Sequence, residues 1–238
     1  MSKAGYIALV LVVLTGVAIF YTAITHRQQR RVPHLDVERS EFPIKGIDIS
    51  AHNGNVDFEA VAADSVDFVY LKASEGNTFR DGSFADNYDK ARAAGLPVGA
   101  YHFFRFECDG EAQARNMLQA VSYRRFQLPL AIDVEETGNG AGFDAEAVRV
   151  EVQKMMEYLR QSGYRVMVYT NKQGLAQYVP EVRGDSELWI CSFTNPPLPG
   201  VEWTLWQHSH RGRVRGVEGM VDVNTFNGDR ARWRKWVL

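Results

Sequence analysis

Asp133 and Glu135 stand two residues apart at the end of the segment Leu128-Pro-Leu-Ala-Ile-Asp-Val-Glu-Glu136. Leu128, Leu130, Ile132 and Val134 are apolar, with Pro129 near the start and Gly138, Gly140 and Gly142 beyond the end. That pattern reads as a short buried strand feeding a loop. Residues two apart on a strand share a face. Two carboxylates on one face of a buried strand repel each other and are costly to desolvate. A lone acid there would read as a helix cap or an ion-pair partner. An Asp-X-Glu pair reads better as chemistry, because glycoside hydrolysis needs paired carboxylates.

The segments around this pair alternate. Ile44–Ile49, Phe68–Lys72, Leu96–Tyr101, Leu128–Val134 and Arg165–Tyr169 read as strands. Between them, Phe58–Ala63, Ser83–Ala94, Gly110–Tyr123 and Asp144–Ser162 read as helices. The last is the clearest, with Val148, Val152, Met155, Met156 and Leu159 at helical spacing, Asp144 as N-cap and Gly163 as stop. Glu187–Cys191, Glu202–Gln207 and Met220–Asn224 add three strands with little helix between them. Alternation implies a parallel sheet wound by helices. The expected fold is α/β: an irregular TIM-like barrel of eight strands, with about five βα units and three further strands, smaller than the usual ~250 residues.

In such barrels chemistry collects at the C-terminal ends of the strands. Asp48 ends the first strand, Asp133 and Glu135 the fourth, and Asp222 lies in the last. First and last strands are neighbours in a closed barrel, so Asp48 and Asp222 are expected side by side. Lys72, Glu75, Tyr101, His102, Tyr169, Asn171, Trp206 and Gln207 recur at strand ends and are the expected substrate-binding set, with His52 nearby. Any one of them alone would read as an ion-pair partner or a core residue; their recurrence carries the expectation.

The 238 residues, 45% hydrophobic and 12% aromatic, suffice for a sizeable core. A net charge of −2 gives no electrostatic footprint for nucleic acid, and no Gly-rich phosphate loop occurs. Cys108 and Cys191 match no metal spacing; they read as one disulfide or as two buried thiols. Ala4–Ile24 runs without a charge for the length of a bilayer core, with Tyr6 and Tyr21 near its ends. It lacks a clear small-X-small cleavage site and reads as an uncleaved signal-anchor rather than a cleaved signal peptide. Residues 1–25 are therefore expected to be a membrane anchor, 26–42 a tether and 43–238 the barrel. His26, Arg27, Arg30 and Arg31 follow the span and would favour a cytoplasmic flank.

Together these segments resemble the glycoside hydrolase family 25 lysozymes, the Chalaropsis-type N-acetylmuramidases. The resemblance rests on GIDIS (46–50), FVYLKASEGNTFRD (68–81), AGLPVGAYHFF (94–104), LAIDVEE (130–136), VMVYTN (166–171), LWI (188–190), LWQHS (205–209) and VDVN (221–224). It implies an irregular barrel. It also implies cleavage of the β-1,4 bond between N-acetylmuramic acid and N-acetylglucosamine in peptidoglycan. The family's four acidic positions fall on Asp48, Asp133, Glu135 and Asp222. Two departures, the missing proline after Asp81 and His208 where an aromatic is common, remove no acid. The expected partners are peptidoglycan glycan strands and, through the N-terminal span, a membrane with the barrel on its extracytoplasmic side. No metal or other cofactor is required.

In the expected mechanism Glu135 is the general acid, its pKa raised by Asp133 and partial burial, while Asp133 stays ionised. Alternate strand positions lie roughly 6.5–7 Å apart, between the separations of retaining (~5–5.5 Å) and inverting (~6.5–9.5 Å) enzymes. Retaining, inverting and acetamido-assisted routes all stay open, with Asp48 and Asp222 positioning substrate, water or the acetamido group. Two other classes stay open as well: a glycan-binding barrel without turnover, and a barrel enzyme acting on chitin.

Overall fold

The computed structural model describes residues 37–122, 124–140, 142–180, 187–195, 197 and 200–237. The strands, in chain order, are β1 (Lys45–Ile49), β2 (Phe68–Glu75), β3 (Phe79–Arg80), β4 (Val98–Phe103), β5 (Leu130–Asp133), β6 (Val166–Asn171), β7 (Glu187–Cys191), β8 (Leu205–Gly212) and β9 (Val221–Phe226). The helices are α1 (Phe58–Ala63), α2 (Phe84–Ala93), α3 (Gly110–Val121), α4 (Ala145–Gln161), α5 (Lys172–Gln177) and α6 (Arg230–Trp236). The sheet runs β1-β9-β8-β7-β6-β5-β4-β2-β3, and pairing of β1 with β2 closes it. Eight strands form the barrel, and the two-residue β3 is an antiparallel appendage on β2. Five βα units are followed by a parallel β7–β8 pair and an antiparallel β9. This is the expected α/β barrel.

Local chemistry sets the helices. The side chains of Asp57, Asp109, Asp144, Asn171 and Asp229 each accept a backbone N–H in the first turn of the following helix. Helix α4 buries the predicted stripe of Val148, Val152, Met155, Met156 and Leu159, each contributing about 1.5–3 kcal/mol of transfer free energy. Gly163 follows with φ 88°, a left-handed stop.

Strand alternation divides the core in two. Outward residues such as Ile47, Val69, Leu71, Val98, Ile132 and Val168 pack under the helices. Inward residues, among them Phe68, Tyr70, Ala131, Met167, Trp189, Leu205 and Phe226, fill the barrel. The lower barrel is filled by rings that need glycine opposite them. A Cβ on Gly46 would lie 2.2 Å from the Phe68 ring, and one on Gly99 2.3 Å from the Tyr70 ring. Trp233 of α6 closes the same end, with its ring centroid 5.1 Å from those of Phe68 and Phe226. Among the described residues the opposite end, where the parallel strands terminate, carries no such plug.

One expectation is corrected: β5 ends at Asp133, so Glu135 belongs to the following loop rather than to the strand. Of the two readings of the cysteines, the structure has Cys108 and Cys191 as free thiols; Cys191 belongs to the barrel interior, where burial pushes its thiol up to about 12. The Ala4–Ile24 span and the first eleven residues of the tether lie outside the described residues. Among the described residues no helix is long and apolar enough to cross a membrane.

Candidate active site

A cavity of about 200 Å³ opens at the C-terminal ends of the parallel strands. All four predicted acids line it: Asp48, Asp133, Glu135 and Asp222. Lys72, Tyr101, Tyr169 and Gln207 complete the predicted part, and Phe103 and Trp189 join them.

The acids are held by neighbouring strands. Asp48 and Asp222 are directly opposed in the antiparallel β1–β9 ladder. The Gln207 amide donates to Asp48 Oδ2 at 3.0 Å and to Asp222 Oδ2 at 3.3 Å. Its oxygen accepts from the Tyr169 hydroxyl at 2.7 Å, which fixes the amide's orientation. Asn224 donates to Asp48 Oδ2 at 2.8 Å and accepts from Trp189 Nε1 at 2.8 Å.

The loop carrying Glu135 is tied on three sides. Asn139 Nδ2 donates to the Glu135 carbonyl at 2.8 Å and to that of Phe104 at 2.9 Å. The Glu136 carboxylate accepts from Tyr178 at 2.5 Å and Gln173 at 2.7 Å. Arg105 bonds the Gly138 carbonyl and pairs with Glu75. These ties hold the Glu135 backbone while its side chain faces the cavity.

Burial and crowding raise all four carboxyls. Asp133 is raised well above the ordinary range, first by burial, then by Glu135 and Asp48, with Lys72 offsetting only part. One of its oxygens, Oδ1, is buried without a hydrogen-bond partner. Glu135 is raised to about 7 by burial and then by the charge of Asp48. Asp222 is raised to about 8 by burial and by Asp48. Asp48 is raised by burial against the lowering effect of its hydrogen bonds from Asn224 and Gln207. Burial thus works against the ionised state expected of Asp133.

Four predicted binding residues stand outside the cavity. His102 points outward from β4 and is fully buried, with Nδ1 2.8 Å from Ser74 Oγ and Nε2 3.1 Å from Gln113 Oε1. Burial lowers it to about 4, so it is neutral and structural. Trp206 also points outward; its Nε1 donates to the Ser192 carbonyl at 2.9 Å and its ring packs on Phe42 and Trp203. Asn171 caps α5 through Gly174 N at 2.9 Å. Glu75 accepts from Lys72 Nζ at 2.6 Å and pairs with Arg105, supporting the cavity's cation rather than lining the cavity. His52 is exposed on a short 3-10 turn after β1.

Strand parity carried the missing signal. On β4, Tyr101 and Phe103 share the face opposite His102; on β8, Leu205 and Gln207 share the face opposite Trp206. Trp189 shares the inward face of β7 with Cys191. Fixing one inward residue per strand would have removed His102 and Trp206 and added Phe103 and Trp189.

The family model for Glycosyl hydrolases family 25 matches residues 47–217. The autolytic lysozyme of Clostridium acetobutylicum is 34% identical over 185 residues, which cover 77% of this chain and 56% of that protein. This chain thus spans little more than half of that relative. Lysozyme M1 of Streptomyces globisporus is 32% identical over 204 residues, covering 79% of this chain and 69% of that one. The structure of a family 25 glycosyl hydrolase from Bacillus anthracis superposes with a TM-score of 0.78 at 30% identity, covering 86% of this chain and 97% of the other.

Proposed function

The chain belongs to glycosyl hydrolase family 25, and from that premise we propose that it is a muramidase, hydrolysing the β-1,4 bond between N-acetylmuramic acid and N-acetylglucosamine in peptidoglycan. One observation carries the reading: four carboxyls with raised pKa values converge on a single cavity, one of them, Glu135, poised near 7. A carboxyl of that pKa is half protonated at neutral pH and can both give and recover a proton.

Glu135 protonates the leaving glycosidic oxygen. The reactive state of the Glu135–Asp133 pair holds one proton, on Glu135. Positive charge growing at the anomeric carbon draws negative charge to Asp133, and the shared proton shifts to Glu135. The unpartnered Asp133 Oδ1 supports an acetamido-assisted route. An acetamido N–H donates to this oxygen while the acetamido oxygen attacks the anomeric carbon and the leaving oxygen departs with the Glu135 proton. Ionised Glu135 then takes a proton from water, the water oxygen attacks the same carbon, and the acetamido bond to that carbon breaks. The configuration is retained. Asp48 and Asp222, fixed by Gln207, keep the local field negative and orient the sugar; Tyr101, Tyr169 and Trp189 wall the site.

The barrel is taken as residues 43–238, acting on the extracytoplasmic side, where the substrate lies. Residues 1–25 are taken as its signal-anchor and 26–42 as the tether, on the strength of the charge-free run Ala4–Ile24. This puts Arg27, Arg30 and Arg31 outside, against the usual charge bias. Protease added to intact spheroplasts is expected to digest the barrel; protection until the membrane is broken would overturn this topology. The muramidase reading itself is tested by digesting peptidoglycan and chitin in parallel and identifying the new reducing ends.

A further inference from the structure

Beside the cavity the β2–β3 hairpin presents Phe79, a residue 52% exposed. A single exposed aromatic is ordinary; this one is held in place by a dedicated device. Asn116 of α3, itself buried, donates to three hairpin carbonyls: Glu75 at 3.3 Å, Gly76 at 2.8 Å and Phe79 at 3.0 Å. Its oxygen accepts from Arg80 Nε at 3.3 Å. Pinning an apolar ring toward solvent gains the folded chain little. It lowers the entropy cost of binding something against that ring.

The ring is continuous with the cavity. The Lys72 ammonium lies 5.6 Å from the Phe79 centroid and 5.3 Å from that of Phe103, and both Lys72 and Phe103 line the cavity. Lys72 is the sole cation among the described residues lining it, facing four acids. One of its three N–H donors is used on Glu75 at 2.6 Å. A ligand bearing a carboxylate is repelled everywhere in this site except at the Lys72 edge.

We propose that Phe79 and Lys72 form a second sugar subsite, in which the Phe79 ring stacks on a glycan unit beyond the cavity and Lys72 receives the acidic substituent of a muramyl unit. The inference rests on the muramidase reading and deepens it. It makes the hairpin the element that rewards long acidic glycan over short or neutral glycan.

The test measures binding by calorimetry in a Glu135→Gln background, so that cleavage does not intervene. The probes are peptide-free alternating glycans of two and six sugars and a chitin hexamer. Adding Phe79→Ala is expected to weaken the six-sugar glycan about tenfold and leave the two-sugar glycan unchanged, with Phe79→Trp restoring the affinity. Adding Lys72→Met is expected to weaken the acidic hexamer more than the chitin hexamer. Unchanged affinity in the Phe79→Ala protein, equal loss for both lengths, or equal loss for both hexamers overturns the subsite while leaving the muramidase reading intact. A parent protein that binds no glycan overturns both.

Discussion

Asp48 faces Asp222 across the β1–β9 ladder, and the Gln207 amide donates to a carboxylate oxygen of each, at 3.0 and 3.3 Å. Two carboxylates so placed repel each other. Burial and the Asp48 charge raise Asp222 to about 8, so it favours the protonated form at neutral pH. The charge of Asp48 also raises Glu135.

Removing the charge of Asp48 should retune the acid. In Asp48→Asn the Glu135 pKa falls, because a like charge has gone. Glu135 works protonated, so activity is lost as pH rises through its pKa. The alkaline limb of the kcat/KM profile should move to lower pH, with reduced activity at the optimum. An alkaline limb that stays in place would show that Asp48 does not act on Glu135.

Asp133→Asn tests the partner role. A neutral amide still fills the space but cannot balance positive charge, so turnover should fall by about 10²-fold or more with glycan binding retained. Binding to the Asn protein is read by calorimetry. Turnover near that of the unaltered protein would remove Asp133 from the mechanism.

The clustered acids should also cost stability at neutral pH. Their folded pKa values lie above those of the unfolded chain, so the folded state binds more protons between the two. Stability is then fully present below about pH 4, where both states are protonated, and is lost as pH rises through about 7 for Glu135 and about 8 for Asp222. Asp222→Asn should melt several degrees above the unaltered protein at pH 8, and the gap should close near pH 4. Thermal unfolding at the two pH values reads this directly; a gap that is equal at both would contradict the sign.

His102 supplies a structural contrast. His102→Ala leaves Ser74 and Gln113 without their buried partner and should cost about 1–3 kcal/mol of stability while KM stays unchanged. A raised KM at unaltered stability would return His102 to the substrate.

The residues that sequence reading missed follow one rule. The barrel, its five βα units and the four acids were all legible, because helical stripes, caps and acid-ended strands are local signals. The face of each strand was not. His102 and Trp206 are flanked by inward residues and differ from them only in parity, which the barrel fixes through non-local pairing. In β2 the register shift between Lys72 and Ser74 changes the face once more, so Lys72 lines the cavity while Ser74 meets His102. Glu135 lies beyond the strand, where Asn139 within the loop and Gln173, Tyr178 and Arg105 from distant elements replace the ladder.

The central claim is that Glu135 delivers the proton that breaks the muramyl bond. The direct measurement digests purified peptidoglycan with the unaltered protein and with Glu135→Gln, and identifies new reducing ends by mass spectrometry. The unaltered protein should leave N-acetylmuramic acid at the reducing end, and the folded Gln protein should release such ends about 10²–10⁴-fold more slowly. Reducing ends of N-acetylglucosamine, or near-equal release by a folded Glu135→Gln protein, would contradict it.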